Sequence, residues 1–482
     1  MKYMLVKETL DSGIRISIQR ATQLLGVSRC GFYKWLKQPS GFYFSRRNRL
    51  IPNPSGLKVA ICSRFLQSCK AKKFFSKKRV MIFMSQSKLQ PQIQAHRQLL
   101  LFSTILLLFC SFIGAIITVH PLYLKQFVKQ PALVGLIATL SSLAGLAFSL
   151  PVGALSDRIG RKPMLIGVFS LISVVLLAFF INTRLYVLIG LQIAFGALMV
   201  PVWIVGEAFI KDISPTRRRG EFRSFFGTFA NAGMLIGSLI GGSLAMGFGI
   251  RQPYIFAAIL LLVPLILVFG LKEDEYSRST NKNQAVKDFL PVLKEFLQQR
   301  ELKILALCTL SLYFWYAAKW VFGPLFLLNL GYSLFIIGIW LAVSVLPFLL
   351  FQIPVGILSD KIGKSKIIYL GFFISTISLL PLGFESSISS LLATIFIVSI
   401  GTSFAEPLIE VRVTDIVQKE RYGAYSGIFE FTKTLGLMLG PVGSSFFVHS
   451  FGISCSFMPA VVVFILTLAL LVRLRYPETI NA

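Results

Sequence analysis

Twelve apolar runs of about 20 residues, separated by short polar breaks, occupy the chain from Leu99 to about residue 474. A helix of that length spans roughly the 30 Å hydrocarbon core of a bilayer. Each run is therefore predicted to cross a membrane as one helix, which gives an all-α membrane protein with 12 transmembrane helices. The runs lie at about residues 99–119, 132–154, 164–183, 185–207, 224–247, 252–271, 303–328, 333–357, 366–385, 388–411, 424–449 and 453–474.

Composition excludes the main alternatives to a membrane protein. Hydrophobic residues make up 55% of the 482 residues and charged residues only 14%, whereas about a quarter of the residues in a soluble domain are charged. Such hydrophobicity is also incompatible with intrinsic disorder. The six cysteines have no paired or metal-like spacing and only three histidines are present, so we expect no metal site, no cofactor and no enzyme active site.

Lysine and arginine are concentrated in alternate breaks between the runs. The breaks on the side of the N-terminus, together with the C-terminal tail, hold 23 of these residues, and the breaks on the opposite side hold four. Positively charged loops remain on the cytoplasmic side of a membrane. Both termini are therefore predicted to be cytoplasmic, in an integral, multi-pass protein of the cytoplasmic or plasma membrane.

The second half of the apolar region repeats the first half at an offset of 203 residues. For example, Pro-Val-Gly at 151–153 aligns with the same triplet at 354–356. Two parallel six-helix bundles are predicted, an architecture typical of secondary transporters that bind solute between the halves. The predicted parts are an N-terminal bundle at 99–271, a cytoplasmic linker at 272–302, a C-terminal bundle at 303–475 and a cytoplasmic tail at 476–482.

Two loops carry one motif at this offset, and the motif resembles a known family signature. The first copy reads Gly153-Ala-Leu-Ser-Asp157-Arg158-Ile-Gly160-Arg161-Lys162, and the second reads Gly356-Ile-Leu-Ser-Asp360-Lys361-Ile-Gly363-Lys364. They resemble the loop 2–3 signature of the major facilitator superfamily and its degenerate repeat in loop 8–9. The resemblance covers about residues 99–482. It implies alternating-access transport of a small-molecule substrate across the lipid bilayer, coupled to protons, by a monomer.

The resemblance also implies roles for the motif residues. In relatives this loop forms a charge relay that locks one face of the transporter, with Asp157 meeting the eleventh helix and Arg161 pairing with Asp212. The alternative is that Arg158, Arg161 and Lys162 serve only as positively charged cytoplasmic anchors. The candidate gating residues are Gly153, Asp157, Arg158, Gly160, Arg161, Asp212, Gly356, Asp360, Gly363, Lys364 and Asp415.

A glycine-rich pattern recurs in the fifth and eleventh runs. The fifth run resembles the antiporter motif of the same family, with Ser238 in place of the usual proline, and its glycines recur every four residues, on one helix face. Small residues on one face allow a neighbouring helix to approach closely, and bending during alternating access is the alternative role. The candidate packing residues are Gly233, Gly237, Gly241, Gly436, Gly440 and Pro441.

Several charged residues lie inside predicted membrane helices, where ionisable groups are rare and usually functional. Glu207 and Glu410 occupy repeat-related positions, which favours a scaffold or gating role for both over substrate contact. Glu406, Glu430 and Lys433 occur in the second half alone. We hypothesise that these three form a buried site for a proton or an ionic substrate group, and the alternative is a structural ion network.

The fourth candidate that lacks a repeat partner is Lys319, which lies in an aromatic stretch of the seventh run. It could bind a ligand together with those rings or extend towards the membrane surface. The sequence departs from drug:proton antiporters because Gln192 replaces their arginine and the first run has only His120 as a titratable group. Efflux of amphipathic compounds and uptake of a metabolite such as a sugar or organic acid therefore both remain open.

Residues 1–98 form a basic extension with 20 lysines and arginines and two acids. Residues 12–40 contain Leu-Leu-Gly-Val-Ser-Arg and resemble the helix-turn-helix at the start of an insertion-sequence transposase. A membrane-tethered DNA-binding regulator is one interpretation. We favour a non-functional remnant or a start codon at Met81 or Met84, and expect no nucleic-acid partner.

Overall fold

The protein is described by a computed structural model that covers residues 77–213, 219–271, 289–417 and 422–472. Only the backbone is described at 77–95, 150–158, 207–208, 210–213, 219–221, 289–291, 293 and 422–424. The chain forms two compact units, residues 1–91 and 92–482. Of the first unit the description contains only part of a helix, and the transposase-like segment at 12–40 lies outside it. The account below concerns the second unit.

The described residues are almost entirely helical. The α-helices are α1 (Lys77–Lys125), α2 (Pro131–Ile159), α3 (Arg161–Ile181), α4 (Leu185–Ile213), α5 (Arg219–Phe248), α6 (Gln252–Leu260), α7 (Leu262–Val268), α8 (Phe289–Gln298), α9 (Arg300–Asn329), α10 (Leu334–Val343), α11 (Leu346–Ile362), α12 (Lys364–Leu379), α13 (Ile388–Ile416), α14 (Tyr422–Phe451) and α15 (Met458–Val472). Short 3₁₀ turns at Leu382–Phe384 and Ile453–Phe457 precede α13 and α15.

As far as the structure describes them, the predicted apolar runs lie mainly on one helix or on two consecutive helices, so the all-α membrane fold is confirmed. In the described residues, ten segments are long and apolar enough to cross a membrane, and Gln252–Val268 forms a shorter apolar segment. The remaining run lies on α14, which carries Glu430 and Lys433. Helix α1 begins 22 residues before its apolar run, because the prediction marked only the lipid-compatible part of the helix.

Connectivity gives the bundle two distinct ends. We call the end at which the apolar part of α1 begins the near end, and the end at which α1 finishes the far end. Successive membrane-length segments run in alternate directions, so Arg223 and Glu410 lie at the near end. Gly242 and Gly338 lie at the far end, where a Cβ atom at either would come within 3.0 Å of a backbone oxygen of the facing helix.

The two motif loops turn at equivalent glycines. Gly160 separates α2 from α3 with a φ of 99°, and Gly363 separates α11 from α12 with a φ of 104°. Residues with a side chain rarely adopt these angles. The motif requires glycine at both positions for this backbone reason.

The glycine-rich faces of α5 and α14 lie directly against backbone. A Cβ atom at Gly233 or Gly237 would lie within 3.0 Å of Leu107 O or Ser111 O on α1. At the repeat-related positions, Gly436 and Gly440 approach the carbonyl oxygens of Leu310 and Phe314 on α9 equally closely. The same helix pair is therefore packed in the same register in both halves.

Contacts between the two repeats are made mainly by the pairs α2–α14 and α5–α10, with smaller contacts of α5 with α11 and of α2 with α9. Ser142 Oγ donates a hydrogen bond of 3.2 Å to Leu437 O. Nearer the far end, a Cβ atom at Gly135 would meet the side chains of Phe322 and Ser445. The repeats are thus tightly packed from the middle of α2 to the far end.

Candidate functional site

Glu406 lies inside the second repeat with both carboxylate oxygens hydrogen-bonded. Tyr313 Oη donates to Oε1 at 2.9 Å, and Tyr316 Oη donates to Oε2 at 2.8 Å. The tyrosines are three residues apart on α9, so their side chains leave the same helix face. Among the described residues, no lysine or arginine forms an ion pair with Glu406. The carboxylate is thus held by neutral donors alone.

Pro407 follows Glu406 within α13. It has no backbone N–H and so cannot donate to the carbonyl of Ser403. Thr402 and Ser403 direct their hydroxyls to backbone carbonyls of the same helix, at Ser399 and Ile400. The helix at the Glu406 level is therefore stabilised partly by side-chain hydrogen bonds.

A second ionic cluster lies one turn closer to the near end. Lys433 Nζ is 2.9 Å from Glu410 Oε1 and 2.6 Å from Glu430 Oε1. Arg223 Nη2 is 2.7 Å from Glu410 Oε2. Because Arg223 is on α5 and Glu410 is on α13, this ion pair connects the first repeat to the second.

Lys319 is buried on the far side of Tyr316. Its side chain is only 4% exposed, and Nζ donates a hydrogen bond of 3.1 Å to Ser344 Oγ. The ammonium lies 5.2 Å from the ring centroid of Tyr316 and 5.9 Å from that of Trp320. In the described parts of the chain Lys319 has no acidic partner within ion-pair distance.

The position of Ser344 depends on a break between two helices. Pro347, near the start of α11, cannot donate the backbone hydrogen bond that a continuous helix would make to Val343. Ser344 ends α10 at this point, and its hydroxyl also donates to Leu341 O at 2.6 Å. The break places a hydroxyl beside the buried ammonium.

The charged groups and the tyrosines form one continuous series. Lys433 Nζ lies 5.6 Å from the ring centroid of Tyr313, just as Lys319 lies over the ring of Tyr316. Each tyrosine therefore contacts a lysine with its ring and Glu406 with its hydroxyl. An anionic centre lies between two cations and is separated from each by an aromatic ring.

The three residues of the hypothesised site, Glu406, Glu430 and Lys433, do not form one group in the structure. Lys433 is paired with Glu430, whose side chain is 55% exposed, and with Glu410 rather than with Glu406. Glu410 joins the cluster, whereas the side chain of its repeat partner Glu207 lies outside the described residues. Lys319 is buried and does not extend to the surface.

Sequence reasoning missed Arg223, which lies in a basic loop end and resembled a membrane anchor. It placed the aromatic rings of α9 beside Lys319 but did not connect the hydroxyls of Tyr313 and Tyr316 with Glu406. A periodicity check would have found Tyr313 and Tyr316 on one helix face, but nothing in the sequence indicates that Arg223 contacts Glu410.

The described gating residues form an ion pair in the second motif copy. Lys364 Nζ is 2.7 Å from Asp415 Oδ2, and these positions are the repeat equivalents of Arg161 and Asp212. Asp360 is exposed, and a Cβ atom at Gly356 would meet no atom within 4 Å. The side chains of Asp157, Arg158 and Asp212, and the surroundings of Gly153, lie outside the description.

Lys162 of the first motif copy contacts the end of the first repeat at the near end. Lys162 Nζ donates a hydrogen bond of 2.6 Å to Phe269 O, beyond the end of α7. This contact joins the start of α3 to the end of the first repeat. It gives Lys162 a partner within the protein, beyond the anchoring role considered from the sequence.

The first repeat has its own polar cluster at the far end. His120 Nδ1 is 2.6 Å from Tyr254 Oη, and Nε2 is 2.5 Å from Gln192 Oε1. With Gln192 Oε1 as an acceptor, Nε2 carries a proton, and in the neutral ring Nδ1 accepts from Tyr254. Gln192 thus has a hydrogen-bonding role at the position where antiporters of the family have arginine.

The remaining packing candidates and two of the cysteines lie inside the packed helices. Gly241 on α5 faces the backbone of Ala115, and Pro441 lies within α14 next to Gly440. Among the described residues, no three His, Cys, Asp or Glu side chains are grouped as metal ligands. Cys110 and Cys308 are buried as free thiols.

Comparison with known proteins identifies the relatives of this chain. The sequence profile described as Major Facilitator Superfamily matches residues 100–328 and 305–482. An uncharacterized MFS-type transporter of Methanocaldococcus jannaschii is 26% identical and aligns over 71% of this chain and 89% of its own length. The class H tetracycline resistance protein of Pasteurella multocida is 26% identical over 71% of this chain and 86% of its own length.

Solved structures show the same fold. The crystal structure of the nucleoside transporter NupG superposes with a TM-score of 0.65 at 13% identity, over 79% of this chain and 99% of that protein. The comparisons thus agree with the all-α membrane fold described above. The chain belongs to the Major Facilitator Superfamily, a family of membrane transporters rather than enzymes.

Proposed function

We propose that this transporter exports small amphipathic compounds in exchange for protons, and that Glu406 is the group for which proton and substrate compete. A relative from Lactococcus lactis that is named a multi-drug resistance efflux pump PmrA homolog supports efflux. The carboxylate of Glu406, bound by two tyrosine hydroxyls and paired with no cation in the described residues, carries the proposal.

An ionised carboxylate within a membrane bundle is unfavourable without a counter-charge. Tyr313 and Tyr316 supply hydrogen bonds but no positive charge. A proton or a cationic substrate group relieves this deficit, and the two cannot do so at once. Mutually exclusive binding at one carboxylate couples outward movement of substrate to inward movement of protons.

Alternating access requires contacts that break at each end in turn. At the far end the repeats are in close contact because glycines of one repeat lie against the backbone of the other. Gly242, for example, lies against the backbone of Leu334 and Gly338. At the near end they are joined by the Arg223–Glu410 ion pair. With both termini cytoplasmic, as the charge distribution predicts, the near end faces the cytoplasm and the far end faces outward.

The motif loops would control the near end. We assign the Lys364–Asp415 pair, and by repeat symmetry Arg161 with Asp212, to a cytoplasmic gate. In this proposal the bundles at 99–271 and 303–475 move about the linker at 272–302 in a monomer, and residues 1–80 take no part in transport.

Transport by purified protein in liposomes tests the proposal. Fluorescent amphipathic amines and tetracycline would be followed with and without an imposed pH gradient. We expect gradient-driven uptake into vesicles that contain inserted protein, and loss of that uptake in Glu406→Gln. Glu385→Gln is the matched control, because Glu385 accepts a hydrogen bond from Thr394 near the far end, outside the proposed site. Unchanged transport by Glu406→Gln would reject the role of Glu406.

A further inference from the structure

Two opposite charges contact a single tyrosine. Tyr316 donates its hydroxyl proton to Glu406 Oε2 at 2.8 Å, while its ring lies 5.2 Å from Lys319 Nζ. Neither charge has an oppositely charged partner within 4.0 Å among the described residues. The repeat-related positions in the first half, Ile116 and Trp203, carry no charge, so the pair is not part of the duplicated scaffold.

The ammonium of Lys319 has N–H donors that could bind a ligand. An ammonium has three N–H donors, and Ser344 Oγ is the one hydrogen-bond acceptor recorded for Lys319 among the described residues. Two ring faces, those of Tyr316 and Trp320, contribute weaker cation–π attraction. A buried cation with this set of neutral contacts is suited to a carboxylate or another anionic group.

Aromatic rings pack around Tyr316, which lies between the two charges. Tyr316 and Trp320 lie with centroids 5.9 Å apart and 28° between planes, and Phe348 meets Tyr316 edge-on at 6.4 Å. Such rings favour planar, polarisable ligands by stacking and edge contacts. The rings also exclude water, which strengthens charge-assisted hydrogen bonds at both ends.

We propose that this site selects zwitterionic aromatic compounds, whose anionic group binds Lys319 and whose amine binds Glu406 on opposite sides of Tyr316. The inference rests on the proposed function and narrows its substrate class from amphipathic compounds to those that carry both charges. Lys319 determines the affinity for the anionic group, and Glu406 determines the affinity for the amine.

Three probes on one scaffold test the proposal. They are a fluoroquinolone with a ring carboxylate and a piperazine amine, its methyl ester, which keeps only the amine charge, and its N-acetyl derivative, which keeps only the carboxylate. Equilibrium binding to detergent-purified protein would be measured through probe fluorescence. We expect the parent compound to bind at least about tenfold more tightly than either derivative, the ratio typical of one charge-assisted contact.

Variants separate the two ends of the site. Lys319→Gln should reduce binding of the parent compound to the level of its ester while leaving ester binding unchanged, which also shows that the variant is folded. Glu406→Gln should reduce the affinity for the parent compound to the affinity that the native protein has for the N-acetyl derivative. Glu385→Gln should change none of the three affinities.

Equal weakening of all three probes by Lys319→Gln, or no change in any, would overturn the proposal. If that variant does not fold, the native protein still decides, because an ester that binds as tightly as the parent compound contradicts the site. Transport is scored separately in liposomes. Selective binding without proton-driven transport would refute the proposed function and leave the zwitterion site standing.

Discussion

Arg223 on α5 and Glu410 on α13 form an ion pair of 2.7 Å between the two repeats at the near end of the bundle. Both side chains are partly exposed, at 37% and 28%. Glu410 also accepts from Lys433, so the contact extends across α5, α13 and α14. In the proposed transport cycle, opening of the near end breaks this contact.

Arg223→Gln should shift the conformational equilibrium towards the state open at the near end. A partly exposed ion pair contributes up to about 1 kcal/mol, or roughly a fivefold change in population. The shift would be measured as faster thiol labelling of cysteines introduced at the near end. Arg412→Gln is the control, because Arg412 pairs with Glu301 at 2.7 Å within the same repeat. Equal labelling in both variants would contradict the assignment.

Gly237→Ala should destabilise the protein, because the added Cβ atom would collide with Ser111 O on α1. Overpacking of this kind costs about 1–3 kcal/mol. Thermal unfolding of the detergent-purified protein would measure it as a lower midpoint. Gly167→Ala on α3 places its methyl group where no atom lies within 4 Å, so its midpoint should be no lower than that of the native protein. A native midpoint for Gly237→Ala would show that α1 and α5 are further apart.

Two motif glycines in one segment should respond oppositely to alanine. Gly363→Ala imposes a φ of 104° on a residue with a side chain, at a cost of about 1–3 kcal/mol. Gly356→Ala adds a methyl group with no neighbour within 4 Å inside a helix, where alanine is favoured over glycine. Unfolding midpoints of the two variants would check this. A lower unfolding midpoint for Gly356→Ala than for Gly363→Ala would instead indicate that the motif requires glycine for close helix packing at residue 356 and not for the turn at residue 363.

Removal of residues 1–80, with translation beginning at Met81, should leave transport unchanged. All the contacts used in the proposed site lie beyond residue 222. Initial rates in liposomes, normalised to the amount of inserted protein, would compare the truncated and full-length chains. Loss of transport in a truncated protein that still inserts would give the N-terminal extension a role.

The fold was predictable because the features that determine it can be read along the sequence without knowledge of contacts between distant residues. Run length gives the membrane helices, and a constant offset gives the repeat. Even the register of Gly237 against Ser111 has its counterpart in Gly440 against Phe314 at the same offset. These features depend on backbone and hydrophobicity, which a sequence displays directly.

The site was only partly predictable because depth in the membrane does not specify direction around a helix axis. Glu406, Glu430 and Lys433 share the property that the first half has no charged counterpart of them, yet Glu406 faces Tyr313 and Tyr316 on α9 and not the other two. The pairing of Arg223 with Glu410 depends on how the repeats meet, and no local pattern encodes that. The Lys319–Ser344 contact depends on the helix break before Pro347.

Where a glycine of one helix lies against a carbonyl oxygen of another, the two helices are positioned without any contribution from side chains. The two copies keep this pairing although Ser111 in one corresponds to Phe314 in the other. A duplicated chain joined in this way can diverge at its side chains while its architecture is conserved. One copy could therefore acquire Lys319, Glu406 and Lys433 while the other retained Ile116, Trp203 and Ala230, so that ionic chemistry evolved on one side of an otherwise symmetric molecule.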